Sequence, residues 1–348
     1  MLFLSSKLLG FFSDIISDVS SYGIFNYLKD SSFLIDLKKT LRNRILVAFI
    51  LLPIAVIQAY GQEKIKVTLD PSDALTGYYY KVLPTSNEID RVLFLMPGFS
   101  QPAESIFTES MLPYVASAND VLTVALAGGH TIFANEPVVK NINLVIDDVL
   151  KEHPILAEKP WVMGGFSAGG TIALRFVEHC KQFPLKSKVN FAGVFTVDSP
   201  VDIVDLWKYF ERELEKNASE AGVNEAKYVM AKMEEQEGTP FAKPQRYAEL
   251  TPFNLNMEKG NEQFLKDTAV RVYHDVDIAW QLQNRRRSVF DSNYLNASEM
   301  INRLLLVGND RAEFIQSKQK GYRSNGMRHT HAWSIVDEVE CIQWLKNL

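Results

Sequence analysis

Ser167 is the side chain whose setting most plainly allows chemistry, at the centre of Gly164-Gly-Phe-Ser-Ala-Gly-Gly170. The apolar run Trp161-Val-Met163 precedes it, and Thr171-Ile-Ala-Leu-Arg-Phe-Val177, of helical character, follows. A chain that turns sharply from strand to helix forces the central residue into a sparsely allowed backbone region and tolerates only small flanking residues. Gly165 and Gly169 meet that demand. The start of the helix adds free N–H donors and a positive dipole end where an oxyanion would form. The chemistry expected is attack of a hydroxyl on a carbonyl carbon. A serine hydroxyl needs an imidazole to take its proton, and the imidazole needs a carboxylate to fix its tautomer. Of six histidines, His153 and His179 fall on helical segments, and His130 follows Gly128-Gly129 at a strand end, where it could line a pocket. His329 and His331 share the segment Arg328-His-Thr-His-Ala-Trp-Ser334.

The elements that must position these residues alternate in type. Strands are predicted at 64–69, 78–83, 92–96, 121–126, 161–163, 191–197, 270–273 and 304–307, and helices at 138–152, 169–183 and 334–348. Continuous rather than alternating apolar strands suit a parallel sheet covered on both faces. The fold expected is therefore α/β, a doubly wound, mostly parallel sheet of about eight strands. Residues 201–268 break the rhythm with a charged helical stretch, 205–236, and the proline-bearing loop 238–252. They are expected to form a helical lid inserted between two strands.

The strand-turn-helix around Gly165-Phe-Ser-Ala-Gly169, the loop Pro97-Gly-Phe-Ser-Gln101 and the order of acid and histidine that follows resemble the α/β-hydrolase superfamily over roughly residues 75–348. That resemblance implies a backbone oxyanion hole made by Phe99 or Ser100 together with Ala168. Pro97-Gly98 stands where the family often has His-Gly, which removes any role for a histidine there. The resemblance also places the base between the last strand and the final helix. His331 is preferred, since Ser334, with Asp337 three residues on, can cap that helix and fix its position; His329 is the alternative. For the acid, the serine-acid-histidine order directs attention to strand ends, and Asp277 in Val270-Arg-Val-Tyr-His-Asp-Val-Asp277 is preferred. Asp275 and then Asp310 are the alternatives, although the spacing departs from the family's usual one. No cofactor is implied, and no His/Glu cluster accompanies Asp275 and Asp277 to suggest a metal.

The implied activity is serine hydrolysis of a carboxylic ester in preference to a peptide, acting on a small-molecule or lipid ester. A serine exopeptidase and a non-catalytic binding protein of the same fold are the alternatives. Phe99, Phe166, Trp280 and Trp333 suit an apolar group at the pocket mouth or core packing, and Arg285-Arg-Arg287 reads as a solvated helix face. A net charge of −5 supplies no basic field for nucleic acid. Two cysteines, Cys180 and Cys341, are too few for a disulfide scaffold and are expected as buried free thiols. Residues 1–61 are set apart as an extension. Its apolar run 45–57 follows the basic stretch 38–44, the order of an export signal or anchor. Export or membrane attachment is expected over a cytoplasmic location, and nothing in the sequence fixes an oligomeric state.

Overall fold

Most of the apolar runs form strands buried on both faces. A computed structural model describes residues 63–348 apart from Asn87; the extension 1–61 and its apolar run 45–57 lie outside the described residues. Eight strands, β1 (Lys64–Thr68), β2 (Tyr78–Val82), β3 (Arg91–Met96), β4 (Val121–Leu126), β5 (Pro160–Phe166), β6 (Asn190–Val197), β7 (Ala269–Asp275) and β8 (Ala312–Ser317), make one sheet in the order β1-β2-β4-β3-β5-β6-β7-β8. The β1–β2 and β2–β4 pairings are antiparallel and every other pairing is parallel.

Helices clothe both faces. Helices α1 (Glu104–Glu109), α2 (Leu112–Ser117) and, near the carboxyl terminus, α9 (Glu338–Lys346) pack on one face through Ile106, Leu112 and Leu345. On the other lie α3 (Glu136–Glu152), α4 (Ala168–Gln182) and α8 (Asn293–Leu306), which contribute Ile146, Phe176 and Met300. Between β6 and β7 run α5 (Ile203–Lys216), α6 (Glu220–Glu237) and α7 (Pro244–Leu250), with a small core of their own around Trp207, Phe210, Met233 and Tyr247. Asp202 caps α5 by accepting from Val204 N and Asp205 N, each at 3.0 Å, and Ser219 caps α6. Cys180 and Cys341 are both buried and free.

Two expectations are corrected. Leu304-Leu-Leu-Val307 ends α8 instead of forming a strand, and β8 lies further on. Ala297, Met300, Ile301 and Leu304 are buried at helical spacing, while Leu305, Leu306 and Val307 are exposed, so the apolar run continues a helix past its packed face. The final helix is capped by Asp337, which accepts from Glu340 N, and not by Ser334. Ser334 instead accepts from Tyr322 N at 2.7 Å and donates to Tyr322 O at 2.8 Å. Among the described residues no helix is long and apolar enough to cross a membrane.

Candidate active site

The turn from β5 into α4 holds Ser167 at φ 54°, ψ −127°. This is a left-handed conformation that costs a non-glycine residue about 1–3 kcal/mol and persists only where the surroundings impose it. Ser167 N donates to Val197 O at 3.0 Å, which ties the turn to β6. A Cβ on Gly165 would collide with the backbone of Gly169 and Gly170, and one on Gly169 with the carbonyls of Met96 and Pro97. The second glycine therefore lets the turn press against the loop after β3.

That loop carries the other expected donors. Among the described residues the N–H groups of Phe99 and Ala168 have no hydrogen-bond partner, and both residues line the cavity that Ser167 enters. Ala168 opens α4, where the first N–H groups have no partner within the helix. Ser100 is corrected as a donor, because its N–H is already given to Gly129 O at 3.0 Å and its hydroxyl bonds His130 Nδ1 at 2.5 Å. Gln101 shapes the turn by accepting from Gly98 N at 2.9 Å.

The carboxylate beside His331 is Asp198, and not Asp277, Asp275 or Asp310. His331 Nδ1 lies 2.7 Å from Asp198 Oδ2, which leaves Nε2 as the ring nitrogen able to receive a proton. The imidazole packs on Phe166, the residue before Ser167, with ring centroids 4.4 Å apart, and His331, Ser167 and Asp198 line one cavity of about 250 Å³. Asp198 follows β6 with φ 44°, a conformation that aspartate adopts more readily than most residues. Its second oxygen, Oδ1, bonds Nδ1 of His274 at 2.8 Å. His274 is fully buried, stacks on Phe314 at 5.3 Å, and its Nε2 has no partner among the described residues. Its proton therefore belongs on Nδ1, facing the carboxylate. Burial alone would raise the Asp198 carboxyl, but the hydrogen bonds from His274 and His331 outweigh it and hold the group well below the usual carboxylate range.

The other predicted residues sit elsewhere. Asp275 and Asp277 both hold Arg328, at 2.9 and 3.1 Å. Asp275 also accepts from Gly321 N, and Asp277 caps the helical turn Ile278–Trp280. Asp310 is exposed and precedes β8, at the opposite end of the parallel strands from Ser167. His329 lines the cavity and accepts from His331 N through Nδ1 at 3.1 Å, but reaches no carboxylate. Burial, with neighbouring His331 and then Arg285 adding to it, pushes His329 down to about 3. Of the four aromatics, Phe99 lines the cavity, Phe166 and Trp333 are core residues and Trp280 packs beneath Arg328. Arg285 and Arg287 face the cavity instead of forming a solvated helix face.

No family model matches the chain, and no curated protein matches it by sequence. Solved structures do match. Carboxyl esterase 2 from the mycorrhizal fungus Tuber melanosporum superposes with a TM-score of 0.52 at 11% identity, over 82% of this chain and 83% of that one. An acylaminoacyl peptidase from Pyrococcus horikoshii gives 0.50 at 11% identity, over 84% of this chain and 42% of that one. The chain has the α/β-hydrolase fold. Within that fold the residues brought together, Ser167 after β5, Asp198 after β6 and His331 after β8, keep the chain order of serine, acid, histidine. Two members of this cluster, Asp198 and His274, were not legible as such in the sequence. The one available signal was that Asp198 ends the apolar run 191–197.

Proposed function

We propose that the protein is a serine hydrolase that cleaves a carboxylic ester through a covalent acyl-enzyme. The observation that carries this reading is the hydrogen bond that His331 donates to Asp198 beside the strained Ser167 in one cavity. His331 Nε2 takes the Ser167 proton as the hydroxyl oxygen attacks the carbonyl carbon. The Phe99 and Ala168 N–H groups receive the resulting oxyanion. His331 then returns the proton to the departing alcohol, and the same steps run with water release the acid. Asp198 keeps Nδ1 protonated and steadies the imidazolium. Helices α5 and α6, through Leu206, Phe210 and Val229, wall the cavity against solvent.

The test is turnover of an activated short-chain ester such as 4-nitrophenyl butyrate. Ser167→Ala is expected to lower kcat by about 10³-fold or more while the melting temperature stays close to that of the unaltered protein. Turnover unchanged in this variant would overturn the proposal.

A further inference from the structure

The cavity that Ser167 enters carries two cations that no described residue holds in an ion pair. Its charged lining is otherwise paired: Asp198 by two histidines, Asp275 by Arg328, and Asp291 by Arg212 and Lys216. Arg287 pairs with Glu213 at 3.4 Å. Arg285 and Arg323 remain, and among the described residues neither guanidinium makes a hydrogen bond or an ion pair. Glu225 attracts both, and Glu109 and Asp198 attract Arg323, but none of these carboxylates lies within ion-pairing distance of either guanidinium.

Their placement is tied to the reacting groups. Arg323 lies over the Phe166 ring at 5.1 Å, the ring that His331 also packs on. Arg285 closes a short π-helical turn, Gln281–Arg285, that Gln281 fastens to Thr330 at 2.6 Å, one residue before His331. Irregular turns of this kind are frequent at functional sites. Both guanidiniums are partly withdrawn from water, and burial lowers the basicity of each. Keeping an unpaired charge in such a place is costly unless something of opposite sign compensates it.

Resting on the serine-hydrolase reading, we infer that Arg285 and Arg323 form an anion subsite and that the substrate is an ester bearing a carboxylate, in its acyl part or its alcohol part. A planar carboxylate matches the donor fork of arginine.

The test compares two pairs of esters: 4-nitrophenyl hydrogen glutarate, with the carboxylate on the acyl side, and 3-butanoyloxypropanoate, with it on the alcohol side, each against its methyl ester, in which that carboxylate is neutral. One of the two carboxylate esters is expected to exceed its neutral partner by about tenfold or more in kcat/KM. That ratio should collapse towards one in Arg285→Gln and Arg323→Gln, while Arg323→Lys keeps part of it. A ratio of one or less for both pairs would overturn the inference, as would a preference that survives both glutamine variants. Failure of the hydrolase reading looks different, because no ester would then turn over. Calorimetric binding of glutarate to Ser167→Ala, lost in Arg323→Gln, would in that case still support the anion subsite, and its absence would remove it.

Discussion

Asp198 accepts one hydrogen bond from each of two imidazoles, through Oδ1 from His274 and through Oδ2 from His331. His274 is out of reach of the cavity and acts by positioning: with Oδ1 fixed, Oδ2 is held towards His331. His274→Leu is expected to lower kcat about tenfold with KM within about twofold. With one donor removed, the Asp198 carboxyl moves up, so activity is lost at higher pH on the acid side. An unchanged kcat per fluorophosphonate-titrated site and an unmoved acid limb would show that His274 only fills the core. His329 gives a second pH effect. An unfolded histidine titrates near about 6.5, whereas in the fold His329 is held down to about 3. As pH falls through that window the unfolded state takes up a proton that the folded state refuses, so stability is complete above about 6.5 and declines below it. His329→Asn should recover about 1 kcal/mol of the loss between about pH 6.5 and 5, measured by denaturant unfolding at each pH. At this scale the sequence marks Ser167 and His331 as candidates, through the glycines and the chain order. Asp198 was hidden because several carboxylates end strands, and only tertiary contact separates it from Asp277, which is taken up by Arg328.

The turn from β5 into α4 is where local sequence and packing agree most closely. Gly169 allows it to approach Met96 and Pro97, so Gly169→Ala should both destabilise the protein by more than about 2 kcal/mol and separate the Phe99 and Ala168 donors. A variant with wild-type melting temperature and turnover would contradict this role. Helix α4 is itself almost wholly buried and carries Glu178 inside it, with neither carboxylate oxygen hydrogen-bonded. Burial pushes Glu178 well above the usual range, against a weaker pull from Arg175 at 3.7 Å. A raised carboxyl stabilises below its unfolded value near about 4.3 and loses that contribution as pH rises through its folded value. Glu178→Gln should accordingly gain melting temperature relative to wild type between pH 5 and pH 8; a constant difference would contradict it. Seven strands were readable, six because strands buried on both faces leave nearly unbroken apolar runs and β1 through its alternation of exposed and half-buried residues. The eighth was misplaced because β8, Ala312-Glu-Phe-Ile-Gln-Ser317, is an edge strand with polar residues, whereas the exposed end of α8 is apolar.

Across the whole molecule, parallel strands bring the ends of β5, β6 and β7 to one edge, where Ser167, Asp198 and Asp275 follow or close them. Arg328 then clasps the exit of β7 to the loop that bears His331, through Asp275 and Asp277 and over the Trp280 ring at 5.2 Å. Removing it leaves buried carboxylates unpaired, so Arg328→Met should cost about 3 kcal/mol and reduce turnover as His331 loses its support; denaturant unfolding and ester kinetics would show both. This long-range clasp joins residues about fifty positions apart and leaves no local pattern in the sequence. The helical insertion between β6 and β7 was legible as a gap in the strand series, but which of its residues wall the cavity depends on how α5 and α6 pack. The central claim, a serine activated by His331 and Asp198, is tested most directly by the rate and position of fluorophosphonate labelling. The account predicts a single adduct on Ser167, formed about 10³-fold more slowly in Asp198→Asn and at close to the wild-type rate in Asp310→Asn. An adduct on another residue, or undiminished labelling of Ser167 in Asp198→Asn, would contradict it.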